Sequence, residues 1–576
     1  MTTDQTAPRP NRPQTEIDRI AERWVDDVVA LDPITGTYLG RSGSNRLLPD
    51  FSPAGADAVA TAQRAVLAAV EAQTPVDAVD AVTRADLASE LRLSLAQHEA
   101  GEALRDLNVI ESPAQQVRDS FDLMPSESES DWADLAERMR AVPAALAGYR
   151  ESLDLGAERG LVPARRQVLE VAAQLRRTAG VEGSAEGFFQ AIAARGAAAG
   201  GAVPTSLAQE LSEAASLAGR AYADLADALE GDLAPRASET DGFGRERYAL
   251  ASERFVGASV DLDETYEWGI EELARMRDEQ ERIAAEIVGG SVRPGIVAEA
   301  IAKLDADPSR KLHGTDALQR WMQETSDRAV AELGATHFDI PAEIRTLECR
   351  IAPTQEGGIY YTGPSDDLSR PGRMWWSVPE GVTEFDTWRE LTTVYHEGVP
   401  GHHLQIAQAV VNRGLLNGWR RQLAGTSGHA EGWALYAERL MEQLGYLDDP
   451  ADRFGMLDGQ RMRAARVVLD IGVHLGKQRP DGQGAWTAEY AFEFMGENVN
   501  MNDGFVKFEV NRYLGWAGQA PSYKIGQRIW EEQRDEYAAR EREAGREFDI
   551  RDFHRDALEL GVIRLDTMQR TLRGEL

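Results

Sequence analysis

Hydrophobic residues recur every three or four positions along most of the chain, which is the spacing of one buried helical face. The first such run starts near Glu16 and contains Ile17, Ile20, Ala21 and Trp24. Further runs rich in Ala, Leu and Glu continue to about residue 229 and return between residues 262 and 333. The pattern predicts a mainly α-helical protein with a helical N-terminal region over residues 15–240.

The hydrophobic pattern changes between about residues 337 and 378. The runs IRTLECRIAP, GIYYTG and GRMWWSV are short, contain β-branched and aromatic residues, and are separated by Gly/Pro turns, which is typical of strands. We predict a small sheet there, followed by helices over residues 385–445. The Gly- and Pro-containing stretch at 231–248 predicts a boundary, after which a region with the candidate chemistry spans residues 241–576. Residues 1–14 are predicted to be a disordered tail.

The overall charge is strongly acidic. The formal net charge is −34 and the pI is near 4.7, whereas binding to nucleic acid or to an anionic membrane requires a positive surface. No stretch approaches the ~20 apolar residues of a membrane span, and the N-terminus lacks the apolar core of a signal peptide. The single cysteine, Cys349, fits a reducing compartment. We predict a cytoplasmic protein without nucleic-acid or membrane partners, and the oligomeric state stays open.

One stretch, LTTVYHEGVPGHHLQIAQ, combines residue types that bind zinc. It holds His396, His402 and His403, three of the nine histidines, and Glu397 directly follows the first of them. Neutral imidazoles and carboxylates are common zinc ligands, and a catalytic site keeps one position for water. In the HExxH motif two histidines four residues apart share a helical face, and the glutamate acts as the base. The residue types therefore indicate a zinc site, but the spacing differs.

An unbroken helix cannot bring these histidines to one metal ion. The second histidine follows His396 by six or seven residues, so a straight helix would place it on another side or about 10 Å along the axis. Pro400-Gly401 lies between them, and proline interrupts a helix because it lacks an amide donor and clashes with the preceding turn. We predict that the helix breaks at this point and that the chain turns there.

The choice of the second ligand depends on motif alignment. Several zinc peptidases follow the pattern His-Glu-x-Gly-His-x-Leu, and Gly401-His402-x-Leu404 matches its second half if two residues are inserted. This alignment favours His402. His403 would then lie behind the ligands or face the substrate.

The third ligand is expected on a following helix. The segment SGHAEGWALYAERL is strongly helical and places Glu431 and Glu438 seven residues apart on one face. We choose Glu431, close behind His429, as the ligand, and we keep His429 among the residues around the metal. Glu438 either accepts a hydrogen bond from a ligand imidazole or is an ordinary surface carboxylate.

A polar stripe runs along one later helix. Arg463, Arg466, Asp470 and His474 follow one another at spacings of three, four and four, on a helix that is otherwise largely apolar. Burying such a stripe is costly unless its members pair with one another or with a ligand. The stripe is therefore either an internal salt-bridge ladder or a basic wall that binds a substrate carboxylate.

Three motifs together, HEGVPGHHLQ, GHAEGWALYAE and PSYKIGQ, resemble the bacterial family called domain of unknown function 885, which is grouped with the gluzincin-type zinc metallopeptidases. The resemblance covers most of the chain and is most specific between residues 396 and 527. It implies a large helical shell around a deep cleft, a small β-sheet beside the metal-binding helix, and one bound Zn²⁺ ion. A more distant likeness runs to thermostable-type carboxypeptidases. The chain departs from the strict HExxH of typical gluzincins.

Four further residues are candidates for the site. Tyr523 and Lys524 lie in the last of these motifs, and the tyrosine hydroxyl either stabilises the oxyanion of a tetrahedral intermediate or packs at a helix start. Tyr360 and Tyr361 belong to a predicted strand. An exposed edge of that strand could pair with an extended peptide by strand addition.

These residues support three hypotheses about function. The first is a zinc-dependent hydrolase of short peptides, similar to a dipeptidase or carboxypeptidase, in which His396, His402 and Glu431 hold the metal. Glu397 is then the general base, and Tyr523 polarises the carbonyl group. The second is hydrolysis of a non-peptide amide at the same site. The third is a metal-binding helical protein without catalysis, which has no need for a base at position 397.

Overall fold

The computed structural model of the protein describes residues 12–181, 186–200, 203–353 and 358–576. Helices make up most of these residues, so the prediction of a mainly α-helical fold is confirmed. In the first part of the chain the helices are α1 (Glu16–Leu31), α2 (Pro33–Tyr38), α3 (Pro53–Glu71), α4 (Ala78–Glu99), α5 (Pro113–Asp119), α6 (Glu129–Glu158), α7 (Arg165–Ala179), α8 (Phe188–Ala198) and α9 (Thr205–Ala228).

The second part of the chain contains further helices and all five strands that the described residues form. The helices are α10 (Arg245–Val256), α11 (Leu262–Val288), α12 (Ile296–Asp305), α13 (Thr315–Thr336), α14 (Thr387–Glu397), α15 (His402–Val411), α16 (Gly418–Gln422), α17 (Ser427–Gln443), α18 (Pro450–Leu475), α19 (Ala488–Asn498), α20 (Asp503–Gly515), α21 (Gln519–Glu543), α22 (Ile550–Glu559) and α23 (Leu565–Leu572). The strands are β1 (Lys311–His313), β2 (Leu347–Ile351), β3 (Ile359–Thr362), β4 (Gly372–Trp376) and β5 (Glu384–Asp386).

The predicted small sheet is present. Its strands lie in the order β2-β4-β3, with β2 parallel and β3 antiparallel to β4, so β3 is an edge strand. A two-stranded antiparallel sheet of β1 and β5 was not predicted. Helix α14 follows β5 directly, and its Val394 packs into the hydrophobic cluster that includes Cys349, Met374 and Trp376 of the sheet. The sheet therefore lies beside the helix that carries His396.

Separate clusters of buried side chains hold the first part of the chain together. One cluster contains buried residues between Leu107 and Ala234 and packs the five helices from α5 through α9 against one another. A second joins α1, α3 and α4 to Trp419 of α16, which belongs to the second part. The side chain of Asn417 also donates a hydrogen bond to Asp18 in α1, at 3.0 Å. The division of the chain at residue 240 stays a prediction.

The disordered tail predicted for residues 1–14 lies largely outside the described residues. Arg12 is described, and its guanidinium group pairs with Asp18 and Asp77, each at 2.6 Å, and with Asp80. The chain is therefore attached to α1 and α4 from this residue onward.

Helix ends in the second part follow local capping rules. At the start of α17 the Thr426 hydroxyl accepts a hydrogen bond from the amide of His429, at 3.3 Å. Helix α18 has Asp449 as its N-cap and Pro450 in its first position, where the missing amide donor is not needed. It ends at Gly476, whose φ of 60° favours glycine. These caps fix the two helices that carry Glu431 and the polar stripe.

His554 of α22 is a buried neutral imidazole packed against α17. Its Nδ1 donates to the carbonyl of His337 at 3.2 Å, its Nε2 accepts from the Tyr436 hydroxyl at 2.9 Å, and its ring stacks on Phe338 with centroids 4.2 Å apart. Burial lowers its pKa to about 3. The folded protein therefore resists protonation at this position.

We expect the variant His554→Gln to change the pH dependence of stability. The unfolded chain binds a proton at His554 below about pH 6.5, but the folded chain does not until about pH 3. As the pH falls through this range, the free energy of unfolding therefore decreases by up to ~1.4 kcal/mol for each pH unit. Between pH 6.5 and 4.5 the wild type should lose about 2 kcal/mol more than the variant. Urea unfolding across this range measures the difference, and parallel pH profiles would contradict it.

Candidate metal centre

The predicted helix break is present between His396 and His402. Helix α14 ends at Glu397 and α15 begins at His402. In the connecting turn the amide of Gly401 donates to the carbonyl of Tyr395, at 3.1 Å. A Cβ atom on Gly401 would lie 1.9 Å from the carbonyl oxygen of His396, so the turn is this tight only with glycine. The turn separates α14 from α15 and brings the ring centroids of His396 and His402 to within 4.9 Å of each other.

His396, His402 and Glu431 form a group that could hold a metal ion. Their candidate ligand atoms all lie within 4.8 Å of one another. Glu431 Oε2 lies 3.3 Å from Nε2 of His396 and 3.6 Å from Nε2 of His402, and the two imidazole rings are nearly perpendicular at 87°. The histidines are buried, whereas the Glu431 side chain is 22% exposed. The group is therefore open to solvent on the Glu431 side.

The chemistry of these residues fits a zinc ion. Two imidazole nitrogens and one carboxylate oxygen are a known catalytic zinc set, and ligands of tetrahedral zinc with bonds of about 2.1 Å lie roughly 3.4 Å apart. The two measured separations from Glu431 are close to that value. Among the described residues, Glu431 Oε2 is buried without a well-formed hydrogen bond although it faces both imidazoles. A cation would satisfy this oxygen.

Glu438 holds His396 in the orientation that a metal ligand needs. Its Oε1 accepts a hydrogen bond from His396 Nδ1 at 2.8 Å, which leaves Nε2 directed at Glu431. Burial opposes protonation of His396, but the carboxylates of Glu431 and Glu438 beside it outweigh burial and raise its pKa to about 10. Glu438 is buried. It therefore accepts a hydrogen bond from the imidazole of His396, as one of the two predicted alternatives has it, and is not a surface carboxylate.

A chain of buried polar side chains continues behind Glu438. Gln460 of α18 donates to Glu438 Oε2 at 3.0 Å and accepts from Lys524 Nζ at 2.7 Å. Lys524 also pairs with Glu272 of α11 at 2.9 Å. Burial lowers the pKa of Lys524. Burial also opposes ionisation of Glu272, but the positive charge of Lys524 outweighs it and lowers the pKa of Glu272 to about 2. The network connects the centre to α11, α18 and α21, and Lys524 acts within it.

We expect Lys524→Met to lower the free energy of unfolding by about 1–3 kcal/mol, because the buried amide oxygens of Gln460 and Gln527 lose their donor. Glu272 keeps its ion pair with Arg275 at 2.7 Å. The control is Lys477→Met, which removes a lysine paired with the exposed Asp263. Exposed pairs contribute about 0–1 kcal/mol. Urea unfolding of both variants gives the comparison, and equal losses would show that the buried pair has no special weight.

His403, the next residue of α15, contacts other parts of the protein than the ligand group. Its Nε2 donates to the carbonyl of Ile344 at 2.8 Å, and its Nδ1 accepts from the Tyr361 hydroxyl at 2.9 Å. Burial lowers the pKa of His403 to about 4. Both ring nitrogens are therefore occupied by protein groups. Tyr361 reaches the centre only through this histidine.

Glu397 is a buried carboxylate beside the ligand group. Among the described residues its Oε2 has no hydrogen-bond partner. Burial raises its pKa, while the charges of His402 and His396 oppose that rise. A carboxylate with a free oxygen and a raised pKa can accept a proton and later release it.

Tyr523 lies near Glu431 and between two arginines. The centre of its ring is 5.9 Å from Cζ of Arg463 and 5.3 Å from Cζ of Arg466. Burial is the main cause that raises its pKa to about 12, and the negative charge of Glu431 adds to it. Its hydroxyl therefore stays protonated and can donate a hydrogen bond.

The polar stripe of α18 does not form a ladder. Among the described residues none of its four members pairs with another. Arg466 binds Glu509 at 2.8 Å and the Tyr513 hydroxyl at 2.7 Å. Asp470 accepts from the Tyr248 hydroxyl and the Gly518 amide, and burial raises its pKa to about 7. These contacts tie α18 to α10, α20 and α21.

The other stripe and site candidates have separate contacts. His474 Nε2 donates to the Tyr513 carbonyl at 3.0 Å, and burial lowers its pKa to about 4. His429 Nδ1 accepts from Gln405 at 3.1 Å, and burial lowers its pKa to about 3. Tyr360 is 42% exposed on the edge strand and stacks on Trp375. None of these three side chains belongs to the ligand group found among the described residues.

A large cavity reaches the helix that carries Glu431. It has a volume of about 760 Å³ and lies between α3 and α4 on one side and the second part of the chain on the other. Thr426 and Ser427, at the start of α17, line it. Ser427 lies one helical turn before Glu431 on α17, but no residue of the ligand group lines the cavity.

Sequence comparison now places the chain in a family. The family model described as "Bacterial protein of unknown function (DUF885)" matches residues 33–572. The chain belongs to this family. No curated protein matches the chain at a significant level. The resemblance stated from the three motifs is therefore confirmed for the family itself.

Solved structures share the fold. A protein named "putative lipoprotein" from Colwellia psychrerythraea has a TM-score of 0.81 and 20% identity over 97% of this chain and 98% of that one. A "putative lipoprotein of unknown function" from Shewanella oneidensis has a TM-score of 0.72 and 17% identity over 97% and 100%. A carboxypeptidase from Pyrococcus furiosus reaches a TM-score of only 0.33 at 11% identity over 98% of this chain and 99% of that one. This score is too low to indicate a shared fold. The first two likenesses show the fold alone.

A membrane span is not found in the part of the chain that the structure describes. No helix there combines the length and the apolar character needed to cross a bilayer. The cytoplasmic location stays a prediction.

Proposed function

We propose that this member of the DUF885 family is a zinc-dependent hydrolase that cleaves peptide bonds in short peptides. The observation that carries the proposal is the convergence of three donor atoms from His396, His402 and Glu431, with the unpaired carboxylate oxygen of Glu397 beside them. A site that only binds metal has no need for that carboxylate.

The residues divide the chemistry among them. When bound, a zinc ion would polarise the substrate carbonyl and make a water more acidic. Glu397 accepts a proton from the attacking water and passes it to the leaving amine. Tyr523, protonated at neutral pH, donates a hydrogen bond to the carbonyl oxygen as negative charge develops on it. Glu438 keeps the imidazole of His396 in place throughout.

The preference for a short substrate is part of the proposal. The cavity of about 760 Å³ reaches Ser427, but none of the residues that line it belongs to the ligand group. The edge strand β3 could also pair with an extended peptide. The proposal includes a cytoplasmic location, which the buried free thiol of Cys349 fits. Two structural relatives carry lipoprotein names. Cell fractionation therefore tests the location.

Metal analysis and a peptide screen test the proposal. We expect about one zinc ion per chain and cleavage of short peptides, detected by mass spectrometry, that stops with a chelator and returns with zinc. A protein that binds no metal and cleaves no peptide would contradict the proposal. Zinc binding with cleavage of non-peptide amides alone would favour the second hypothesis, since the same residues could serve either reaction.

A further inference from the structure

Arg463 differs from the other members of the stripe in the contacts of its charged group. Among the described residues no ion pair or hydrogen bond involves its guanidinium group, and its Nε is buried without a partner. Arg466, one turn later, is paired with Glu509. The charge of Arg463 acts on the carboxylates of Glu438 and Glu397. Its N–H donors form no hydrogen bond among the described residues, so they are available to an anionic ligand.

Arg463 lies at the candidate metal centre. Gln460, three residues earlier on the same face of α18, binds Glu438, and the Arg463 guanidinium is 5.9 Å from the ring of Tyr523. Its positive charge also acts on the carboxylate of Glu397. The guanidinium therefore lies close to Tyr523 and acts on Glu397, the two residues proposed to contact the substrate.

A glycine permits this position of the guanidinium. A Cβ atom at Gly459, one turn before Arg463, would lie 2.6 Å from Nη1 of the arginine. The side chain therefore folds back along its own helix, across a position without a side chain. Any larger residue at 459 would displace the guanidinium without removing its charge.

We propose that Arg463 binds the free C-terminal carboxylate of the substrate. A guanidinium group recognises a carboxylate with two parallel charge-assisted hydrogen bonds. In a peptide without Asp or Glu, the only carboxylate is the one at the C-terminus. The enzyme is then an exopeptidase that acts at the C-terminal end of short peptides. This inference rests on the proposed function and names its substrate class.

Matched substrates test this role. Each peptide is prepared as a free acid and as a C-terminal amide, and kcat/KM is measured for cleavage of the same bond by the zinc-loaded protein. We expect the wild type to prefer the free acid by about 10- to 100-fold, the range that a charge-assisted hydrogen bond supports. Arg463→Gln should lower kcat/KM for the acid to the level of the amide and leave the amide unchanged.

Two further variants strengthen the test. Gly459→Ala keeps the arginine but displaces it, and should lower the preference for the acid in the same way. Arg453→Gln, on the same helix but paired with Glu286 at 3.6 Å, should change neither value. Zinc content confirms that each variant is folded, and if Arg463→Gln loses zinc, the result with Gly459→Ala decides.

The outcomes separate this inference from the proposed function. Cleavage of acid and amide at equal rates by the wild type overturns the role of Arg463 but leaves the hydrolase intact. An equal loss for both substrates in Arg463→Gln also overturns it, because the arginine would then act on the transition state. If the wild type cleaves neither substrate with zinc bound, the proposed function fails and this inference fails with it.

Discussion

Replacing Glu397 by glutamine is expected to lower kcat for peptide hydrolysis by about 10²- to 10⁴-fold, the usual contribution of a general base. Glutamine has nearly the same shape but cannot accept the proton of the attacking water. Glu397 is not one of the three grouped ligands, so zinc should remain at one ion per chain. The measurement combines steady-state kinetics with elemental analysis of the same sample.

A matched variant on the same helix controls for this substitution. Glu390 lies seven residues before Glu397 on α14, two turns or about 10 Å along the axis, and outside the ligand group. Burial raises its pKa to about 7, so Glu390→Gln also replaces a buried carboxyl group. We expect nearly full activity from it. Full activity in Glu397→Gln would remove the general base from the mechanism, and zinc loss would give Glu397 a ligand role.

The sequence predicted the helix break because the break follows from geometry alone. Two histidines six or seven residues apart cannot meet on a straight helix, and Pro400-Gly401 offers one place to turn. The strands over residues 347–376 were predictable for a similar reason, since β-branched and aromatic runs between Gly/Pro turns are a local signal. The β1–β5 pair lacks such a signal, because each strand has only three residues.

The environment of each ligand could not be predicted. Gln460 connects Glu438 to Lys524, and Glu272 pairs with Lys524. Each looks like an ordinary polar position in a helix, and only the packing of α11, α18 and α21 brings them together. The stripe on α18 shows the same limit. Its spacing predicted a polar face, but which member is paired depends on Glu509 and Tyr248, which are distant in sequence.

The two adjacent histidines should respond differently to the same substitution. His402→Gln removes a nitrogen that lies 3.6 Å from Glu431 Oε2, and we expect zinc affinity at fixed pH to fall by more than about 100-fold, beyond the usual effect of losing an outer partner. His403→Gln should leave zinc affinity within about tenfold of the wild type. Competition with a chromophoric chelator measures both affinities.

His403→Gln should instead affect stability, because His403 is a structural residue between the sheet and α15. Its two hydrogen bonds, to Tyr361 and Ile344, are buried, and leaving such groups unsatisfied costs about 1–3 kcal/mol each. The free energy of unfolding should therefore fall in His403→Gln even though zinc stays bound. The reverse result, with zinc lost in His403→Gln and kept in His402→Gln, would exchange their roles. Equal zinc loss in both would mean that the turn at Pro400-Gly401, rather than one nitrogen, determines metal binding.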